Sequence, residues 1–118
     1  MCGFSLLLYK DGARVAERRQ VEQATTALRH RGPDDEGFWT EGPITMGFRR
    51  LSILDLSDAG HQPMVSSCGR YVLVFNGEIY NFIELREELQ GLGHTFRSET
   101  DSEVVLAAYA AWGTDCFE

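Results

Sequence analysis

The sequence predicts an α+β fold, on three observations. Strand-like apolar runs and helix-period segments are mixed without regular strand–helix–strand alternation. Two strand-like segments flank Glu41-Gly-Pro43, which makes that pair an antiparallel hairpin. The 118 residues are 43% hydrophobic and 25% charged, which suits one globular domain with a real core.

Taken in order, Gly3 to Tyr9 reads as a buried strand, and Lys10-Asp-Gly12 as a turn. From Arg18 to Arg29, Val21, Ala24 and Leu28 recur at helical spacing. The segment His30 to Gly37 breaks that helix, because Pro33 fixes its own φ and pushes Gly32 out of the helical region. Gly37–Thr40 and Ile44–Phe48 are the hairpin strands. Leu51 to Leu54 is a short apolar stretch, and Asp55 to Gln62 is loop. Tyr71 to Phe75 is the clearest strand and is expected at the centre of a sheet, with Asn76-Gly77 as a tight turn after it. Asn81 and Glu84 read as a capping box for a second helix with the stripe Phe82, Leu85, Leu89 and Leu92. His94 to Arg97 reads as a short strand. Thr100-Asp-Ser-Glu103 opens a third helix through Trp112, and Gly113 stops it.

The charge pattern excludes several classes. The formal net charge is −7, and the cations are ten arginines and Lys10 with no basic block, so no nucleic-acid partner is expected. No apolar run approaches the length of a membrane span, and the N-terminus does not pattern as a signal peptide, so no membrane partner is expected. Cysteines 2, 68 and 116 are an odd set without zinc-type spacing; reduced thiols in the cytoplasm are the expectation. His30, His61 and His94 are scattered, and no metal site is expected.

Chemistry enters at Cys2. With Met1 removed, which a small second residue favours, one residue carries both a thiol and a free α-amine. The thiolate is the nucleophile. A free α-amine, with a pKa of about 7.7–8.0, is partly neutral near pH 7.5 and can take a proton. Acyl transfer also needs oxyanion donors. Asn76 and Gly77, after the clearest strand, offer a side-chain amide and a backbone N–H. Arg50 has the planar fork that holds a carboxylate, though the residues alone do not decide between Arg49 and Arg50. Glu78 and Asp101, beside two expected helix starts, suit an ammonium. Taken singly, Asn76-Gly77 is most simply a turn and Asp101 a helix-dipole partner. Together they describe a site for a free amino acid with an amide side chain.

Six segments occur in register: Met1-Cys-Gly-Phe4, Arg29-His-Arg-Gly-Pro-Asp-Asp-Glu-Gly37, Arg50-Leu-Ser-Ile53, Gly60-His-Gln-Pro-Met64, Asn76-Gly-Glu-Ile-Tyr-Asn81 and Glu99-Thr-Asp-Ser-Glu103. Across nearly the whole chain they resemble the amino-terminal glutaminase domain of glutamine-hydrolysing asparagine synthetases, which are class II amidotransferases of the N-terminal-nucleophile type. The resemblance implies that residues 1–118 are the N-terminal portion of that domain. It implies an αββα sandwich, incomplete at the C-terminus here, in a homodimeric full-length parent. By resemblance, Cys2 attacks the glutamine amide, and Asn76 with the Gly77 N–H forms the oxyanion hole. Arg50 holds the α-carboxylate, Glu78 and Asp101 hold the α-ammonium, and Leu51 and Ile53 complete the substrate site. No cofactor is implied for this domain. ATP and Mg are implied for the synthetase domain that receives ammonia and amidates aspartate, and no Ser-Gly-Gly phosphate loop of that domain occurs in these residues. Phe48 stands where many members have histidine, with little effect on chemistry expected. The second reading is an inactive truncated domain that binds glutamine or a synthetase partner. A third is an N-terminal-nucleophile amidohydrolase without synthetase coupling, against which Arg50 argues.

Overall fold

The structure, a computed structural model, describes residues 1–12, 17–53 and 56–117. These residues form two compact units, the first comprising Met1–Ile53, His61–Pro63 and Val74–Asn76 and the second the remaining described residues. Strands and helices are combined as an α+β class requires, with antiparallel pairing throughout the described sheets.

In the first unit, strands β1 (Gly3–Leu8), β2 (Asp35–Glu41) and β3 (Ile44–Arg50) form an antiparallel sheet in the order β1-β3-β2. The hairpin is longer than the sequence suggests, and its loop is only Gly42-Pro43, since Glu41 pairs with Ile44. Gly42 adopts φ +53, and proline presets the φ of the next position, a combination whose twist suits a two-residue hairpin. Helix α1 (Arg18–Ala27) lies on one sheet face. Val21 and Thr25 are its buried residues; Ala24, expected in the apolar stripe, is exposed. Thr25 takes the inward place because its hydroxyl is satisfied by Ser5 Oγ at 2.6 Å. Gly47 makes the approach possible, since a Cβ there would stand 2.1 Å from Thr25 Oγ1. The α-helix ends at Ala27, two residues before Arg29, as the Leu28 and Arg29 N–H groups turn to the carbonyls of Thr25 and Thr26.

β1 is not buried on both faces. Phe4, Leu6 and Leu8 alternate with inward residues and stay about half-exposed. Phe48, which pairs with both Phe4 and Gly37, is fully buried. The loop His61–Pro63 lies against Gly37: a Cβ there would come within 2.0 Å of the Gln62 carbonyl oxygen and 2.6 Å of His61 Nε2. The Gln62–Pro63 peptide is cis.

The second unit holds the two-residue pair β4 (Met64–Val65) and β5 (Val72–Leu73), with helices α2 (Phe82–Gly91) and α3 (Asp101–Trp112). The strand expected over Tyr71 to Phe75 is thus much shorter, and it belongs to a two-stranded sheet rather than a central position. Its continuation fails because the Phe75 N–H bonds the side chain of Gln62, at 2.7 Å, rather than a ladder carbonyl. The strand expected over His94 to Arg97 does not form. There the Arg97 N–H bonds the Glu103 carboxylate and the His94 N–H bonds the Leu89 carbonyl. Leu89, Val104 and Ala108 form the core of this unit, covered by Phe82, Leu85, Phe96 and Trp112, while Leu92 falls outside it and is exposed.

The helix caps depart from the sequence signatures. Asn81 makes no side-chain cap bond. Thr100 Oγ1 does accept the Glu103 N–H, at 3.3 Å. Glu103, however, reaches back to Arg97 and Ser98, not to the Thr100 N–H, which bonds Ser98 Oγ. Gly113 follows the last residue of α3 with φ +62, a backbone angle that glycine adopts freely because it has no Cβ. The end of the apolar stretch at Leu54 and the start of the loop at Asp55 lie outside the described residues.

Candidate active site

Cys2 precedes β1 and is half-buried. Its sulfur faces the backbone just beyond β3. The Leu51 N–H donates to Cys2 Sγ at 3.3 Å, and the thiol can return a bond to the Leu51 carbonyl at 3.6 Å. The candidate nucleophile is thereby fixed beside the residue that follows Arg50. Arg31 completes the hold, with Nε donating to the Cys2 carbonyl at 3.0 Å.

The turn His30 to Asp34 builds this corner. Gly32 lies so close to β3 that a Cβ would stand 2.4 Å from Arg49 C and 2.6 Å from Arg50 N. Asp34 bonds the chain on both sides of Leu51. Its N–H donates to the Arg50 carbonyl at 3.1 Å, and its Oδ2 accepts the Ser52 N–H at 2.8 Å. The turn therefore sets the backbone that carries Arg50 and contacts the sulfur. These roles of Arg31, Gly32 and Asp34 were beyond sequence reasoning, since the partners lie 17 to 29 positions away for the side-chain bonds in question.

The ambiguity between the two arginines has a structural side. Neither is an ordinary surface residue: Arg49 is 6% exposed and Arg50 7%. Arg49 is committed to the scaffold, with Nε donating to the Gly32 carbonyl at 2.9 Å and Nη1 paired with the Glu36 carboxylate. Residues alternate across β3, so Arg50 lies on the other sheet face, the face of Phe48. Ile53 is 64% exposed, and Leu51 is partly buried.

Asn76 belongs to the same unit as Cys2 and Arg50, and its side chain is exposed. Gly77, Glu78 and Asp101 belong to the second unit. Gly77 is a bend, not the tight hairpin turn of the sequence reading. Asp101 is the first residue of α3 and is only 5% exposed. Its Oδ2 accepts the Ile79 N–H at 3.0 Å, which ties the residue after exposed Glu78 to the N-terminus of α3. Arg86 supports the same helix start by donating to the carbonyls of Ser98 and Thr100, at 2.7 and 3.0 Å.

The other cysteines differ from each other. Exposed Cys68 contacts Ser66 Oγ at 3.3 Å, and this hydrogen bond, with the backbone near Arg70, holds its thiol below the usual range. Burial pushes the Cys116 thiol up. Iodoacetamide is expected to alkylate Cys68 at lower pH than an ordinary thiol, because the thiolate persists below the usual pKa. Cys116 should require higher pH. Ser66→Ala should move the Cys68 profile upward, as read by peptide mass spectrometry across a pH series; an unchanged profile would remove the assigned cause. Among the described residues, no three His, Cys, Asp or Glu side chains gather as a metal site, and no helix is long and apolar enough to cross a membrane.

Comparison with known proteins gives this geometry a context. The glutamine amidotransferase domain family matches residues 1–118. The chain is 44% identical over 111 residues to glutamine-hydrolyzing asparagine synthetase 1 of Bacillus subtilis, covering 92% of this chain and 17% of that protein. It is 36% identical over 120 residues to asparagine synthetase 3 of the same organism, covering 100% of this chain and 19% of the relative. A putative glutamine-hydrolyzing asparagine synthetase 2 of Methanocaldococcus jannaschii is 36% identical over 134 residues, covering 98% of this chain and 25% of its own length. The chain thus spans a quarter or less of the length of these relatives. A family match running the whole length of the chain, over the segments that build the Cys2 corner, places this chain in the glutamine amidotransferase domain family.

Proposed function

We propose that this chain is the glutaminase part of an asparagine-synthetase-like protein and hydrolyses glutamine to glutamate and ammonia through a thioester on Cys2. The observation that carries the reading is the Cys2–Leu51 contact, which sets the nucleophile one residue from buried Arg50. Met1 is 76% exposed and open to an aminopeptidase. Its removal leaves Cys2 with a free α-amine. The amine takes the thiol proton, and the thiolate attacks the side-chain carbonyl carbon of glutamine. The Asn76 amide and the Gly77 N–H hold the oxyanion. The protonated amine then gives its proton to the departing nitrogen, which leaves as ammonia. Water cleaves the thioester, releasing glutamate and restoring the thiol.

Arg50 is assigned to the α-carboxylate, and Glu78 with Asp101 to the α-ammonium. Leu51 and Ile53 complete the substrate site. Asp101 already spends one oxygen position on the Ile79 N–H, which leaves its other oxygen for an ammonium donor. In this proposal the ammonia passes to an ATP- and Mg-dependent synthetase domain that amidates aspartate, and the full-length parent is a homodimer. The half-exposed row Phe4, Leu6 and Leu8 supports a further sheet layer over that face, as in an αββα sandwich.

The test is Arg50→Lys in the native polypeptide carrying this sequence. A point charge cannot replace the two-pronged guanidinium. The KM for glutamine is expected to rise at least tenfold, about 1.4 kcal/mol of binding, with a smaller change in kcat. An unchanged KM would show that Arg50 does not hold the substrate.

A further inference from the structure

The reaction scheme above leaves the segment Gly60-His-Gln-Pro-Met64 without a role. Its centre, Gln62, is 5% exposed although polar. Two contacts press its loop onto the sheet. The Gln62 carbonyl and the His61 ring fill the space above Gly37, where a Cβ would be 2.0 Å from the Gln62 carbonyl oxygen and 2.6 Å from His61 Nε2. At the sheet edge, His61 Nδ1 lies 2.7 Å from Asp35 Oδ2. From this fixed base, Gln62 Oε1 accepts the Phe75 N–H at 2.7 Å. Phe75 lies beyond the end of β5 at Leu73, so this N–H is held by a side chain and not by a strand ladder. The next residue is Asn76.

We infer that Gln62 is a positioning residue for glutamine hydrolysis. It anchors the Phe75 peptide so that the Asn76 amide meets the oxyanion. The inference rests on the glutaminase reading. Oxyanion donors act only when their placement is set in advance, and a misplacement of about 1 Å can cost up to ~10²-fold in rate. One buried acceptor on the preceding residue is a direct means of setting it. Asp35, Gly37 and His61 then serve the same end by holding the loop.

The test compares Gln62→Met, which removes the acceptor at similar volume, with Gln62→Glu, which keeps an acceptor oxygen. Steady-state glutamine hydrolysis is measured in the native polypeptide, alone and in an Asn76→Ala background. Gln62→Met is expected to lower kcat roughly tenfold or more with KM for glutamine little changed, and Gln62→Glu to recover most of the loss. In the Asn76→Ala background, Gln62→Met should cost little further, because both changes remove one function. Should Gln62→Met fail to fold, Gln62→Asn, which withdraws the acceptor by one methylene, carries the same cycle. An unchanged kcat, or a loss that persists undiminished beside Asn76→Ala, would overturn the positioning role. Hydrolysis that survives Cys2→Ala would instead overturn the glutaminase reading beneath it, so the two failures are distinguishable.

Discussion

Replacing Cys2 with alanine is expected to lower glutamine hydrolysis by on the order of 10⁶ in kcat, the scale on which a covalent nucleophile acts in other acyl-transfer enzymes. The sulfur accepts a hydrogen bond from the Leu51 N–H, and the backbone around it is held by Arg31 and Asp34. The substitution removes only the weak sulfur contacts with Leu51, so thermal unfolding should shift little. Folded protein without turnover is the expected pair of results. Glutamate release that continues near the starting rate would assign the chemistry to another group.

Asn76→Ala carries the second-largest expected effect, a fall in kcat of about 10²–10³ for one lost oxyanion donor. The oxyanion exists only after attack, so the KM for glutamine should stay near its starting value. Asn76 is exposed, and the core residues lie elsewhere, so stability should hold. A variant that binds glutamine poorly but turns it over normally would move Asn76 from the oxyanion to the substrate's charged ends.

Local pattern made much of the fold legible. The hairpin followed from a Gly-Pro turn between alternating segments, and helices α2 and α3 from their spacing and from Gly113. Three of the departures share one physical origin. The Tyr71–Phe75 and His94–Arg97 segments have strand composition, but side chains from distant positions, Gln62 and Glu103, take the N–H groups that a ladder would need. Likewise Thr25 is buried in place of Ala24 because Ser5, 20 positions away, satisfies its hydroxyl. Periodicity within a window carries no trace of such partners.

At the candidate site, the residues proposed for the chemistry stood out because their side chains are unusual for their positions: a cysteine at position 2, an arginine at a strand end, an acid at a helix start. The residues that hold them did not. Gly32 matters for what it lacks, a Cβ that would strike the Arg49–Arg50 backbone. Asp34 matters for two bonds flanking Leu51. Gln62 matters for one N–H next to Asn76. Each role exists only once the chain is folded.

The most direct test of the central claim is mass spectrometry after incubation with 6-diazo-5-oxo-norleucine, a glutamine-shaped electrophile. The account predicts a protein that has lost Met1 and carries one adduct, mapped to Cys2 and suppressed by excess glutamine. Cys68, more exposed and with a lowered thiol pKa, is the internal control for indiscriminate alkylation. An adduct on Cys68 with Cys2 unmodified, in protein that has lost Met1, would contradict the account.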